Sequence, residues 1–262
     1  MYAVERHESI AALLHDRGRV VVAELASRFD VTTETIRRDL DALELAGALQ
    51  RVHGGAVAAG HTSVAELSLA ERSEQQTPGK AAIAEAAARL VPPTFEGSIA
   101  LDAGTTTFAV AARLASWEPA TPGTLLTVIT NAVPIAALLQ HSRNIDLRML
   151  GGRVRGLTSA AVGTATVEQI SALRPDIAFI GTNGISAGFG LSTPDELEGA
   201  VKTAYIRAAR RAVTVADSTK HGAEALMRFA RLDELDTVVT DSPPGAELQA
   251  ALDDADVEVI VA

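Results

Sequence analysis

The clearest chemical use in this sequence belongs to a run of small polar residues set directly after an apolar strand. Asp102-Ala103-Gly104-Thr105-Thr106-Thr107 follows the strand-like stretch that begins at Ser98 and leads into a helical pattern. Gly104 permits close backbone approach, while threonine hydroxyls and helix N-terminal N–H groups converge on one point, chemistry suited to an anion such as phosphate. The same residues would also make an ordinary strand-to-helix turn, so the run alone leaves both readings open. Further polar or glycine residues stand where other strand patterns stop: Thr130-Asn131, Gly151-Gly152-Arg153, Gly181-Thr182-Asn183-Gly184 and Asp217-Ser218-Thr219-Lys220. Lys202 and Lys220 are two of the three lysines in the chain. Each offers a compact charge to a phosphate, and for Lys202 a solvated helix face is the competing reading.

A second group sits near the N-terminus, where Thr32-Thr33-Glu34-Thr35-Ile36-Arg37-Arg38-Asp39-Leu40 opens a helix. Thr32 or Thr33 can cap it. At ~100° per residue Ile36, Leu40 and Leu43 fall in one sector, Glu34 and Arg38 point away from it, and Thr33, Thr35 and Arg37 flank it. Arginines and short hydroxyls on the first turns are suited to base edges and phosphates in a major groove. After Gly47, a helix stop, Arg51 and His53 share a strand face, and Gly54-Gly55 supplies a tight turn for a wing against a DNA backbone. The competing reading is a protein-interaction module with a solvated arginine face.

These residues need elements to hold them. Amphipathic helices are expected over Glu5 to His15 and Val22 to Phe29, with a turn at Asp30-Val31-Thr32 before the third helix. A polar stretch over 59–79 reads as linker or connecting helix. From Lys80 onward, strand-length apolar runs begin at Ser98, Leu125, Asp146, Asp176, Ala212, Thr237 and Val257, with helical patterns between several of them. Such alternation predicts an α/β fold with a mostly parallel sheet, whose ligands collect at the carboxyl ends of the strands. The expected organisation is therefore a winged helix-turn-helix over 1–58, a linker over 59–79, and a larger α/β domain over 80–262.

Composition bounds the function. The chain has 262 residues, 47% hydrophobic, and no cysteine. That is ample for packed cores and offers neither disulfides nor thiolate metal sites. Six histidines show no metal-ligand pair at helical spacing, so no metal or other cofactor is expected. The uncharged stretch from Pro119 to Ser142 contains three prolines. It reads as strand, loop and helix rather than as the ~20-residue apolar span that a membrane needs. The charged start offers no signal-peptide core, and a cytoplasmic location is expected. A net charge of −10 opposes indiscriminate nucleic-acid binding, and residues 1–58 hold seven arginines against nine acids. A DNA-binding face must then arise by clustering, with the acids turned elsewhere.

The run from Thr32 to Leu40, preceded by Arg6 and Ile10 and followed by Arg51-Val52-His53-Gly54-Gly55-Ala56, resembles the N-terminal domain of DeoR-type bacterial regulators. The segments from Lys80 to Asp241 are similar, in order and spacing, to the sugar-phosphate sensing domain of the same family, which shares its fold with ribose-5-phosphate isomerases. The resemblance implies that the third helix faces a double-stranded DNA operator through Thr32, Thr33, Glu34, Thr35, Arg37 and Arg38, with Arg51, His53 and Gly54 on the adjacent backbone. It further implies an effector pocket made by Asp102, Gly104, Thr105, Thr106 and Thr107, with Asn131, Asn183, Lys202 and Lys220 as partners. The implied function is a repressor of a sugar or carbohydrate operon, controlled by a phosphorylated sugar.

An isomerase carrying a DNA-binding appendage is the alternative, and a scaffold with a vestigial pocket a third reading. Where the isomerases resemble Asp-Gly-Ala-Asp, this chain reads Asn183-Gly184-Ile185-Ser186, and neither Asn nor Ser is a general base near neutral pH. No catalytic residue is therefore assigned, although Asp195, Glu196 and Asp217 remain carboxylates near strand ends. One winged helix contacts one half-site, so a homodimer or higher even homo-oligomer is expected.

Overall fold

The computed structural model describes residues 3–17, 19–52, 54–58 and 69–262. Contacts divide the chain into two compact units, Met1–Ala65 and Glu66–Ala262. The smaller contains α1 (Ala3–Arg17), β1 (Arg19–Val21), α2 (Val22–Phe29), α3 (Thr33–Leu45), β2 (Leu49–Val52) and β3 (Gly55–Ala58). Its strands form an antiparallel sheet in the order β1-β3-β2. Ile10, Leu14, Leu25, Ile36, Leu40 and Leu49 bury together, the apolar stripes expected of three amphipathic helices.

Local chemistry fixes where α3 starts and stops. Asp30 takes a left-handed conformation at the end of α2, and the Thr32 hydroxyl accepts the Thr35 N–H at 3.2 Å. At the other end Gly47, with φ +73°, and Ala48 donate to the Glu44 and Leu43 carbonyls, closing the helix with a Schellman motif. Gly55 is dictated by packing, because a Cβ there would lie 2.0 Å from the Val20 carbonyl oxygen.

A buried ion pair joins α1 to α3. Arg6 donates to both carboxylate oxygens of Asp39, through Nε at 2.5 Å and Nη2 at 2.9 Å, and His7 Nε2 stands 3.0 Å from the same group. The Arg6 and Asp39 side chains are 8% and 7% exposed. Periodicity alone placed Arg6 on an apolar stripe; the guanidinium is there because Asp39 meets it inside.

In the larger unit α4 (Leu69–Glu74) and α5 (Thr77–Ala88) precede β4 (Ser98–Leu101), α6 (Thr105–Leu114), β5 (Leu126–Thr130), α7 (Val133–Leu139) and β6 (Ile145–Met149). A hairpin of β7 (Arg153–Arg155) and β8 (Ala160–Val162) leads to α8 (Thr164–Ser171), β9 (Ile177–Gly181), β10 (Gly184–Ser186), β11 (Gly190–Thr193) and α9 (Glu196–Ala208). The chain ends with β12 (Ala212–Val215), β13 (Met227–Ala230), β14 (Thr237–Thr240), α10 (Ala246–Asp254) and β15 (Glu258–Val261). The seven expected strands are those of one sheet, in the order β15-β14-β12-β9-β4-β5-β6. Every pairing in it is parallel.

Alternation along each strand feeds two cores. Ile99, Leu101, Ile177 and Phe179 pack under α5, α6 and α7, while Ala100, Ala178 and Ile180 face α8, α9 and α10. Burial on both faces is why these strands read as continuous apolar runs. A second sheet, β10-β11-β13, is antiparallel. Among the described residues no helix is long and apolar enough to cross a membrane.

Sheet order also places a crevice. From β4 the chain adds β5 and β6 on one side, then crosses to lay β9, β12, β14 and β15 on the other. The carboxyl ends of β4 and β9 are thus the switch point where such sheets open for ligands.

Burial alone would push the Asp39 carboxyl up, but the bonds from Arg6 and His7 prevail and leave it below its ordinary value. Its stabilising contribution is therefore complete at neutral pH and is lost as pH falls through that lowered value. Asp39→Ala, which strands a buried guanidinium, is expected to cost about 3–5 kcal/mol. Amide hydrogen exchange over 33–45 in the full-length chain should accelerate accordingly at pH 7, and wild-type protection there would reject the pair as the clamp on α3.

Candidate functional site

At the switch point a carboxylate is held inside the sheet by a lysine. Asp102, the residue after β4, is 1% exposed, and its Oδ1 accepts the Gly181 N–H at the end of β9 at 3.1 Å. Lys202 on α9 donates to Asp102 Oδ2 at 2.5 Å and to the Gly181 carbonyl at 2.9 Å. Burial pushes the Asp102 carboxyl up, while the Lys202 ammonium and the Gly181 N–H oppose that. Lys202 also lies 5.6 Å from the Phe229 ring centroid. It is buried, so the solvated-face reading does not hold. Its charge is already answered by Asp102.

The same face of α9 carries two further groups. Glu198 accepts from Thr158, and from Arg155 at 3.2 Å; Arg155 also pairs with Asp195 at 3.1 Å. The Tyr205 hydroxyl donates to Asn131 Oδ1 at 3.3 Å, and Asn131 Nδ2 donates to the Ala161 carbonyl at 2.8 Å. Burial first, and the Asp102 charge second, push the Tyr205 phenol well above its ordinary value. It stays a neutral donor. The spacing Glu198, Lys202, Tyr205 is a polar seam on one helix face, a signal present in the sequence that only Lys202 drew attention to.

A cavity of about 130 Å³, which shares Thr158 with these buried groups, is lined by Leu69 and Ser73 of α4, Gly104, Thr105 and Phe108 at the start of α6, Ala132, Pro134 and Ile135, and Thr158. Of the expected effector residues Gly104 and Thr105 line it. Thr106 and Thr107 are buried, and the Thr107 hydroxyl donates to the Gly104 carbonyl at 3.0 Å, which spends it on the turn. Asp102, Lys202 and Asn131 belong to the buried network. Asn183 accepts from Thr193 at 3.1 Å, and Lys220 ends a 3-10 turn whose first N–H groups Asp217 and Asp241 satisfy. Sequence reasoning missed Ser73 and Leu69, in a stretch without apolar periodicity, and Thr158, in the hairpin loop.

The carboxylates left open as catalytic are engaged structurally. Asp195 caps α9 through the Leu197 and Glu198 N–H groups at 3.0 Å, and Asp217 accepts from Thr219. Glu196 is exposed on the first turn of α9.

In the smaller unit α3 presents Thr33, Glu34, Arg37 and Arg38 to solvent. Glu34 lies 3.6 Å from Arg37 and 3.7 Å from Arg38, with the arginine side chains 55% and 81% exposed. The Thr35 hydroxyl lies 2.9 Å from that of Thr32. Arg51 turns inward instead. Its guanidinium pairs with Asp41 and donates to the Arg37 carbonyl at 3.0 Å, and its backbone N–H donates to Glu44 at 2.7 Å. The acids of α3 draw it onto the helix, an attraction that strand alternation could not reveal. Gly54, with φ +76°, makes the wing turn, and His53 lies outside the described residues.

A helix-turn-helix unit with a wing, followed by an α/β unit with a pocket at the carboxyl ends of β4 and β5, defines the class: a one-chain regulator with separate DNA-reading and sensing parts. The pattern of the DeoR-like helix-turn-helix domain matches residues 6–62, and that of the DeoR C-terminal sensor domain matches 75–242. The HTH-type transcriptional regulator GlpR of Haloferax volcanii is 35% identical over 99% of this chain and 98% of its own length. For the HTH-type regulator YgbI of Escherichia coli the values are 38%, 100% and 99%, and for the glycerol-3-phosphate regulon repressor of the same organism 31%, 99% and 99%. The chain belongs to the DeoR family of helix-turn-helix transcriptional regulators. A ribose 5-phosphate isomerase from Methanocaldococcus jannaschii overlaps 54% of this chain and 52% of that one at 17% identity and a TM-score of 0.37, a likeness too loose to carry an activity.

Lys202→Met leaves Asp102 buried without its counter-charge and is expected to cost about 3–5 kcal/mol. Adding Asp102→Asn should recover much of that loss, since the pair couples. Chemical denaturation of the three variants checks this, and additive losses would show that the two groups do not act as a unit.

Proposed function

We propose that this regulator represses a carbohydrate operon and that a phosphorylated sugar, bound in the α6 cavity, weakens its hold on the operator. The observation that carries the reading is the cavity at the carboxyl ends of β4 and β5, where Thr105, Thr158 and Ser73 line the space beside the N-terminus of a ten-residue helix beginning at Thr105. The Ser73 and Thr158 hydroxyls donate to the Leu69 carbonyl and to Glu198 and keep their lone pairs as acceptors. Unpaired N–H groups and the helix dipole favour a phosphate there, and the hydroxyls suit a sugar. Leu69, Phe108 and Ile135 supply the apolar walls usual in ligand pockets. The names of relatives agree in kind: one is a glycerol-3-phosphate regulon repressor and another a putative aga operon transcriptional repressor.

Binding rather than turnover is favoured by what lines the cavity. Its side chains are hydroxyls and hydrocarbon, and moving a proton between adjacent carbons needs a base within hydrogen-bond reach. Lys202 and Asp102 do not line the cavity; they pair with one another in the buried network, so Lys202 does not meet the phosphate as a free cation.

On the DNA side, Arg37 and Arg38 on the exposed face of α3 read the major groove with Thr33 and Thr35, Glu34 orienting the two guanidiniums until DNA displaces it. Gly54 shapes the wing that lies on the backbone. Specific binding at two half-sites calls for a homodimer or higher even assembly, acting in the cytoplasm. The sugar phosphate acts on operator affinity by binding one arrangement of the assembly better than the other.

Arg38→Ala is expected to weaken operator binding by about 1–3 kcal/mol if the guanidinium reads a base edge. Ligand affinity should remain unchanged, and gel-shift titrations with wild-type DNA affinity would sink the α3 assignment. Calorimetric titration with sugar phosphates and the matching free sugars, with product assayed in the same samples, tests the pocket. Saturable heat that needs the phosphate and yields no product is expected, whereas turnover would make this an enzyme.

A further inference from the structure

Helix α4 is short, yet it is tied down at both ends. The Leu69 N–H donates to the Leu157 carbonyl at 3.1 Å, fixing its start to the hairpin loop that also carries Thr158. At its end, Lys80 reaches back from the first turns of α5 and donates through Nζ to the Arg72 carbonyl and, at 2.7 Å, to the Gln75 carbonyl. Between α4 and α5 the chain turns through Gln76 in a left-handed conformation, φ +51°, where a non-glycine residue persists only if its surroundings hold it. Lys80 spans that turn. It is 7% exposed, and burial brings its ammonium down to about 8, with Asp217 opposing and Lys220 and Arg72 assisting. A buried lysine bonded to one carbonyl of a six-residue helix and to one just beyond its end is a costly way to fix one element.

What α4 gains from being fixed is a place in the cavity wall. Leu69 and Ser73 face the same space as Gly104, Thr105 and Thr158. Ten residues, 59–68, separate α4 from β3 of the smaller unit. A ligand seated on the N-terminus of α6 therefore meets the helix that, among the described residues, stands nearest in the chain to the DNA-reading part.

We propose that α4 is the element that registers effector occupancy, with Lys80 as the positioning residue that sets its resting place against the cavity. This rests on the reading of the cavity as a phosphate-ligand site. A ligand larger than the resting space pushes Leu69 and Ser73 outward, and a smaller one draws them in. In either case the difference between free and bound states appears at the start of the connecting segment, where a two-state coupling to operator affinity needs it.

The absence of cysteine permits a single label. Glu74, exposed on α4, becomes the site of a nitroxide through Glu74→Cys in the full-length chain. Glycerol 3-phosphate, ribose 5-phosphate, fructose 6-phosphate and inorganic phosphate are titrated while heat and the spin-label lineshape are recorded. The expected result is that any phosphate giving saturable heat changes the lineshape over the same concentration range. Lys80→Met should show an altered lineshape before ligand is added and a several-fold smaller response to it. Ser73→Leu, which leaves Lys80 alone, should weaken binding of the same phosphate at least tenfold. Heat without a lineshape change, a resting lineshape unmoved by Lys80→Met, or full affinity in Ser73→Leu would each overturn the role of α4 while leaving the pocket in place. If none of the four phosphates gives heat, the phosphate-pocket reading falls and the role of α4 falls with it.

Discussion

The larger unit depends on one buried attraction, that between Asp102 and Lys202. The two parallel strands that meet at the switch point end with backbone groups that have no further ladder partner. Asp102 Oδ1 takes the Gly181 N–H and Lys202 takes the Gly181 carbonyl, so the crevice between β4 and β9 is closed from inside by a neutral pair. Because Lys202 comes from α9, the pair also sets that helix against the sheet and brings Glu198 and Tyr205 to their partners. Gly104, Thr105 and the start of α6 line a cavity at the carboxyl ends of β4 and β5. Under the proposed reading, the charges lie in the buried network and a ligand meets a wall of small polar and apolar residues.

The smaller unit solves a related electrostatic problem. Its nine acids outnumber its seven arginines over residues 1–58, yet the fold directs several acids away from the outer face of α3. Asp39 turns in to Arg6, and Asp41 and Glu44 engage Arg51. Arg37 and Arg38 stay exposed with Glu34 beside them. Under the proposed reading, pairing inside the unit takes the place of a basic composition, and Arg51 gives up a contact with DNA to fix the wing against the helix. An exposed pair such as Glu34 with Arg38 contributes little to stability, so little is lost when an incoming phosphate replaces it.

The two units make different demands on their connection. Specificity for DNA requires α3 to be held rigidly, which the Arg6–Asp39 pair and the Schellman closure at Gly47 provide. Under the proposed reading, sensing requires an element that can occupy two positions, and α4, a short helix bonded to the Leu157 carbonyl at its start and to Lys80 near its end, is that element.

Much of this architecture was legible in the sequence because it rests on local rules. Continuous apolar runs marked the inner strands of the parallel sheet, since burial on both faces leaves no polar alternation, and the edge strands β6 and β15 were marked by shorter apolar stretches. The Thr32 cap, the Gly47 stop and the Gly54-Gly55 wing turn were legible because each depends on one residue's backbone or hydroxyl. The strands of the hairpin and of the second sheet escaped notice, lying in stretches rich in glycine, arginine and hydroxyl residues rather than in apolar runs. What the tertiary structure alone decided is pairing: that Arg6 would meet Asp39, that Arg51 would fold onto Asp41, that Lys202 would be neutralised by Asp102 a hundred residues away, and that α4 would form a wall of the cavity. The sequence by itself determined which residues could carry charge, cap a helix or turn the chain. Which charges remain free to meet a ligand depends on distances between segments far apart in the chain, and a periodic pattern holds no information about them.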